Sequence, residues 1–188
     1  MKKNKLKKKG FTLIEVIFAV AILIFILATL IYLYNNYYNV YYYQQTNVSV
    51  ADSAHATMKE LQSAALQADK IIASHTFSGN VYNTDQHTLV LEIPSIDGSQ
   101  NIVSGKYDYV VFYITGTNLY KRVQADAASS RSSGLTTISG MVTALTFTYN
   151  NANLSQASEI SADMQVQKAA GKRTVIYHLN QKIYLRNI

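Results

Sequence analysis

Hydrophobic and polar positions divide this chain into three stretches with different periods. Residues 11–34 read FTLIEVIFAVAILIFILATLIYLY, and only Thr12, Glu15 and Thr29 interrupt the apolar run. A run that is apolar on every side predicts a buried or membrane-spanning helix. Its 24 residues would extend ~36 Å at ~1.5 Å each, enough to cross a ~30 Å hydrocarbon core. Further on, Val48, Ala51, His55, Met58, Leu61, Ala65, Ala68 and Ile72 recur every three or four residues with no Gly or Pro among them. That spacing predicts an amphipathic helix continuing the first to about residue 73, with Asp52, Lys59, Glu60, Asp69 and Lys70 mostly off the stripe. From residue 76 the period shortens to two. Strands are expected at 87–93, 107–115, 119–124 and 143–149, and a closing hairpin at 160–167 and 174–185 around Ala170-Gly171-Lys172. Residues 125–140, ADAASSRSSGLTTISG, read as a small-residue loop and the most mobile segment.

These elements predict an α+β fold. One long N-terminal helix, transmembrane over 11–34 and amphipathic over 35–75, packs on an antiparallel β-sheet head at 76–188. At 188 residues the chain holds one domain with an appendage and shows no internal repeat.

Charge changes the picture at one end only. The chain carries 17 Lys and Arg against 11 Asp and Glu, a formal net charge of +6. Lys2, Lys3, Lys5, Lys7, Lys8 and Lys9 supply the whole excess. A basic flank of this kind holds the N-terminus in the cytoplasm and sends the rest of the chain across the membrane. Seven of the 15 tyrosines fall between Tyr32 and Tyr43. Tyr32, Tyr34, Tyr37 and Tyr38 suit the outer interface, and Tyr41-Tyr42-Tyr43 extends that belt or forms a stacking platform. A cleaved secretory signal fits poorly, because bulky Leu and Ile fill the C-terminal half of the run and the small residues Ala19-Val20-Ala21 sit in its middle. On physical grounds the default is an uncleaved anchor.

Glu15 departs from that default. A carboxylate in hydrocarbon costs about 2.5–3.5 kcal/mol on insertion scales, and such residues are functional and paired. No Lys, Arg or His lies between Phe11 and Tyr34, so its partner is expected from another molecule or from chain processing.

Lys9-Gly10-Phe11-Thr12-Leu13-Ile14-Glu15, behind a short basic leader and before a long apolar run, resembles the class III signal of type IV prepilins and type II secretion pseudopilins. The resemblance implies that residues 1–10 are a leader removed by a prepilin peptidase, which cuts between Gly10 and Phe11. It implies N-methylation of the new Phe11 amine. It also implies that Glu15 neutralises the Phe11 amine of a neighbouring subunit during assembly. The head adds shorter matches. Tyr113-Ile114, Leu119-Tyr120-Lys121-Arg122, Val142-Thr143-Ala144-Leu145 with Phe147, and the closing Ile183-Tyr184-Leu185-Arg186-Asn187 look like W-class minor pilins and J-class minor pseudopilins. Many major pilins carry a kinking Pro about twenty residues into the mature chain; here that neighbourhood reads Leu30-Ile31-Tyr32-Leu33. There is no Cys for the disulfide-bounded loop common among pilins. Both departures favour a minor subunit.

The resemblance implies a structural filament subunit at the cytoplasmic membrane, with its head outside and its partners the peptidase, other pilin subunits and, before assembly, lipid. The competing reading is an uncleaved signal-anchored protein with an extracytoplasmic ligand-binding head. Little supports an enzyme, a cofactor or a metal site. Without Cys there is no thiol nucleophile or thiolate site, and HExxH, Walker and GxSxG motifs are absent. Of the histidines, only His75 and His87 are expected near each other in the head. His55 reads as a hydrogen-bonded packing residue, and Asp97-Gly98-Ser99-Gln100-Asn101 as a plain turn lacking an EF-hand's carboxylates. Beyond the leader eleven bases face eleven acids. Lys121-Arg122 and Lys172-Arg173 are the only adjacent bases there, too few for a phosphate-binding stripe. Arg122 and Arg186 read equally well as solvated strand-edge charges.

Overall fold

The computed structural model describes residues 10–186. The leader lysines and Asn187 of the closing motif lie outside the described residues. Helix α1 (Leu13–Ala65) is followed by β1 (Lys70–Ile71), β2 (Ser74–Phe77), β3 (Asn80–Asn83), β4 (Thr88–Ile96), β5 (Ile102–Thr115), β6 (Asn118–Gln124), β7 (Gly134–Ser139) and β8 (Val142–Tyr149). A short 3-10 helix (Leu154–Gln156) precedes β9 (Glu159–Ala170) and β10 (Arg173–Tyr184). The chain divides into two compact units, one ending at Tyr42 and the other beginning at Tyr43.

The first unit is helix alone. Its side chains from Phe11 to Tyr42 are exposed, as expected of a segment whose solvent is lipid or other helices. An 18-residue window of it has a mean hydropathy of 3.1 and buries nothing.

The second unit is α+β. Antiparallel strands form a five-stranded sheet in the order β1-β4-β5-β6-β7, a three-stranded sheet β10-β9-β8, and the hairpin β2-β3. The C-terminal part of α1 packs on this framework through Val50, Ala54, Met58, Leu61 and Ala65, which meet Leu89, Leu91, Val110, Phe112, Leu145, Phe147, Ile160 and Met164 in one core. Along β9 the buried residues Ile160, Ala162, Met164 and Val166 alternate with more exposed ones, so one face of the strand supplies its share of that core. Polar ties fix the helix. Lys121 Nζ lies 3.0 Å from Glu60 Oε2, and the Ser53 and Ser139 hydroxyls are 2.9 Å apart. His55 is hydrogen-bonded as the sequence suggests, its Nε2 3.2 Å from the Tyr177 hydroxyl, but it is exposed and not part of the buried face.

All the expected strands are present, and the differences have identifiable causes. The helix ends at Ala65, not near 73. The Gln67 and Ala68 N–H groups turn to the Ala64 and Ala65 carbonyls, tightening the last turn. Then Asp69 N–H donates to the Glu92 carbonyl and Ile72 N–H to Val90, so β4 captures Lys70–Ile71 as an edge strand. The helical stripe is also rotated. Met58, Leu61 and Ala65 are buried as expected, but Val48 is 60% exposed while Val50 and Ala54 are fully buried. A helix segment rich in Ala, Ser and Thr offers several plausible small-residue faces, and packing on the sheets selects among them. Pro94 lies within β4, beyond the two-residue reach of β1, where a bulge separates it from Ile96. A residue with no N–H is tolerated there.

The expected mobile segment 125–140 is tied down. Its second half forms β7, paired with β6. Its first half is gathered around Asp108, which is fully buried. Asp108 Oδ1 accepts from Ser95 Oγ and the Asp126 N–H, both at 2.8 Å. Oδ2 accepts from Ser129 Oγ and Arg131 Nη1, both at 2.7 Å. Arg131 also donates to the Pro94 carbonyl at 2.7 Å and to Gln67 Oε1 at 3.1 Å. Burial pushes the Asp108 carboxyl up, but the bonds from Arg131, Ser129, Asp126 and Ser95 outweigh it and hold the carboxyl below its ordinary value.

On its other face the five-stranded sheet carries a second, smaller core. Phe77 from the β2-β3 hairpin covers Val90 and Val111. His75 stacks on Tyr109 at 3.7 Å, and burial holds its imidazole below its ordinary value. Tyr82, Tyr113 and Tyr120 continue the ring contacts at 4.9 and 5.4 Å. Burial and the hydrogen bond with Tyr82 push the Tyr113 phenol up to about 12.

Candidate functional site

The site begins where the helix begins. Gly10, Phe11 and Thr12 lie outside regular secondary structure, and α1 starts at Leu13. Gly10 is exposed, and a Cβ built on it would meet nothing within 4 Å. The structure itself therefore places no steric demand for glycine there. Phe11 is 87% exposed. The peptide bond between these two residues is open to an outside reagent.

Thr12 and Glu15 form a reciprocal cap. The Thr12 N–H donates to Glu15 Oε2 at 2.8 Å, and the Thr12 hydroxyl donates to the same oxygen at 2.9 Å. The Glu15 N–H reaches back to Thr12 Oγ1 at 3.4 Å. This is the S/T-x-x-E capping box, which satisfies orphan donors at a helix start. A negative charge in the first turn also faces the positive end of the helix dipole.

This alters the expectation for Glu15. One of its carboxylate oxygens is held by its own chain, three residues away. What Thr12 cannot supply is charge. Among the described residues no cation pairs with the carboxylate, and an uncompensated charge in a low-dielectric medium calls for one. The Thr-x-x-Glu spacing of the cap is present in the sequence at Thr12 and Glu15.

Thr29, the third polar residue of the apolar run, bonds its hydroxyl to the Phe25 carbonyl at 2.9 Å. Every polar side chain of residues 11–34 apart from the tyrosine hydroxyls thus has an internal partner, as a lipid environment demands.

In the head, the other candidates lie apart. His87 Nδ1 is 2.8 Å from the Leu145 carbonyl, while His75 stacks on Tyr109. Asp97 Oδ1 accepts from the N–H groups of Ser99 and Asn101, a polar turn. Arg122 lies on β6, an interior strand of the sheet, and not on an edge; its Nε is buried without a hydrogen bond. Arg186 is exposed after β10. Lys121 pairs with Glu60, and the Arg173 guanidinium lies 5.8 Å from the Tyr43 ring centre. No group of three His, Asp or Glu residues suited to a metal occurs among the described residues.

Residues 5–31 match the family model described as the prokaryotic N-terminal methylation motif. The match covers the segment in which Gly10, Phe11 and Glu15 lie. No curated protein and no solved structure matches the chain. The chain carries the type IV prepilin-like signal. With one long apolar helix and an antiparallel α+β head, it has a pilin-like layout, and the apolar N-terminal helix fits a membrane anchor.

Proposed function

We propose that this chain is a structural minor subunit, a minor pilin or pseudopilin, of a type IV pilus-like filament, and that it has no enzymatic role. It enters the cytoplasmic membrane with its basic leader inside and its head outside. Prepilin peptidase cuts between Gly10 and Phe11, the Phe11 amine is methylated, and the subunit joins others through its N-terminal helix. The observation that carries this reading is the methylation motif matched at residues 5–31, a segment that includes Gly10, Phe11 and Glu15.

The physics of each step is separable. Between Phe11 and Tyr34 no Lys, Arg or His offers Glu15 a cation. Cleavage creates an ammonium group at Phe11, next to Thr12, whose N–H and hydroxyl already hold Glu15 Oε2. The carboxylate held in this way is the group with which an incoming subunit's amine would pair. Pairing there removes the charge penalty that lipid imposes. The missing Pro and Cys, and the W-class and J-class likeness of the head strands, support the minor rank.

Glu15→Ala tests the assignment. The variant should be inserted and cleaved normally but recovered poorly in sheared filaments. Normal recovery would show that Glu15 does not serve assembly.

A further inference from the structure

Among the described residues, four buried side-chain atoms lack a hydrogen bond: Thr57 Oγ1, His75 Nε2, Arg122 Nε and Gln124 Oε1. Buried polar atoms are seldom left so, and each calls for a reason, such as a bound molecule that answers it. The last three gather on the face of the five-stranded sheet that carries the smaller core. Cross-strand register puts Gln124 beside Tyr109, Arg122 beside Val111 and Tyr120 beside Tyr113, and His75 stacks on Tyr109.

His75 and Gln124 account for each other, because Gln124 acts on the imidazole against the effect of burial. Arg122 has no such neighbour. No described carboxylate lies within ion-pair distance of it, and Glu92, on the same face, is held by Lys70 at 2.9 Å. Burial and Tyr82 push the Tyr113 phenol up to about 12 against the pull of the Arg122 charge, so this phenol stays neutral and is no counter-ion. A half-buried guanidinium is thus left with its charge and its Nε–H unanswered, which is costly unless an anion arrives.

The surroundings say what else that anion carries. Tyr113 lies against one face of the Tyr120 ring, with centres 5.4 Å apart and planes 24° apart. The other face of Tyr120 looks toward β7, where its cross-strand partner is Thr137, small and exposed. Leu135, the β7 partner of Arg122, is 50% exposed. An open ring face, a bare guanidinium and an exposed leucine therefore adjoin at the β6-β7 end of the sheet. A guanidinium fork takes a carboxylate by two parallel N–H groups. The C–H face of a pyranose ring is apolar, with slightly positive hydrogens that suit the negative face of an aromatic ring.

We propose that Arg122 and Tyr120 form a binding site for an acidic saccharide, in which the guanidinium holds the carboxylate of a hexuronate residue and the open face of Tyr120 packs on its sugar ring. Leu135 borders that ring. A neutral sugar leaves Arg122 unpaired, and a carboxylate without a ring leaves Tyr120 uncovered, so the two side chains together select for both features. The site lies in the head alone and does not depend on entry into a filament.

The test is calorimetric titration of the full-length chain in detergent with trigalacturonate, neutral maltotriose, a short glutamate peptide and inorganic phosphate. The peptide and phosphate also account for anion binding by the six leader lysines. Trigalacturonate should bind tighter than each of the others by about tenfold or more. Arg122→Gln should remove that preference with the melting temperature unchanged or raised, since an unpaired cation is lost. Arg122→Lys, which keeps the charge but not the fork, should weaken it in part, and Tyr120→Leu by about threefold or more. Arg186→Gln, at an exposed arginine after β10, should leave it unchanged. Absence of trigalacturonate binding up to about 10 mM, equal binding of maltotriose, or an unchanged preference in Arg122→Gln would overturn the proposal. Tighter binding of the peptide or of phosphate would assign Arg122 to a different anion and overturn it too. A melting temperature of Arg122→Gln well below the parent would make Arg122 a structural residue, with the same consequence.

Discussion

Removing the Asp108 carboxylate should loosen the 125–133 loop and destabilise the head more than any exposed substitution. Asp108 is fully buried and accepts four hydrogen bonds of 2.7–2.8 Å, one of them from the Arg131 guanidinium. Hydrogen bonds to charged groups contribute ~1.5–3 kcal/mol each when taken singly. A simple sum over four overstates the loss, because neighbours in one network do not add. The Ser95 and Ser129 hydroxyls can rotate, and Arg131 keeps the Pro94 carbonyl and Gln67. Breaking a buried ion pair by removing one member costs ~3–5 kcal/mol, and that figure is the better guide. For Asp108→Ala, at ~2–4 °C per kcal/mol for a chain of this size, the melting temperature should fall by roughly 6–20 °C. Asp108→Asn keeps the shape but turns an NH2 group toward donors, so it should also destabilise, by about 2 kcal/mol or more. The assay is thermal unfolding of the full chain in detergent, followed through the tyrosines of the head. Limited trypsin digestion at Arg131 supplies a second readout, expected to be faster in both variants. A melting temperature within about 2 °C of the parent and an unchanged digestion rate at Arg131 would refute the claim that Asp108 holds the loop.

Other consequences follow from the same packing. The folded-state Asp108 carboxyl is held below its ordinary value of 3.8, so its contribution is fully present above that value and is lost as pH falls through the lower, folded one. Digestion at Arg131 by an acid-tolerant protease or amide exchange over 125–133 should therefore rise in strong acid; no rise as the pH falls well below 3.8 would contradict the account. Leu61→Ala removes a fully buried side chain from the core and should cost about 2–5 kcal/mol, whereas Val48→Ala, at a position 60% exposed, should stay within about 0.5 kcal/mol; similar losses from both would mean that the helix buries the stripe read from the sequence.

Much of the architecture is written in the periods of the chain. The unbroken apolar run gives the exposed helix, and the alternation at β4, β5, β6, β8, β9 and β10 gives the strands, because each strand buries one face and the period of two has to match it. What was not legible depends on distant partners. Lys70–Ile71 continues a helical spacing and becomes a strand only because β4 offers its carbonyls. The segment 125–133 has loop composition, and its order comes from Asp108, distant in sequence and itself inside a strand that reads as apolar. The rotated helix stripe shows the same limit, since Ala, Ser and Thr can be buried or exposed at little cost. At the N-terminus the sequence placed Gly10, Phe11 and Glu15 in one motif. The Thr12 cap was legible too, but a hydrogen-bond argument was needed beside the charge argument to find it.

The central claim is that this chain is processed as a pilin-type subunit, and the mass of its mature N-terminus tests it most directly. Protein recovered from the membrane and from sheared filaments of the producing cells should begin at Phe11, carry a methyl group on the Phe11 amine, and lack residues 1–10. A chain that still begins at Met1 and carries its six leader lysines would contradict the account and leave an uncleaved membrane anchor in its place.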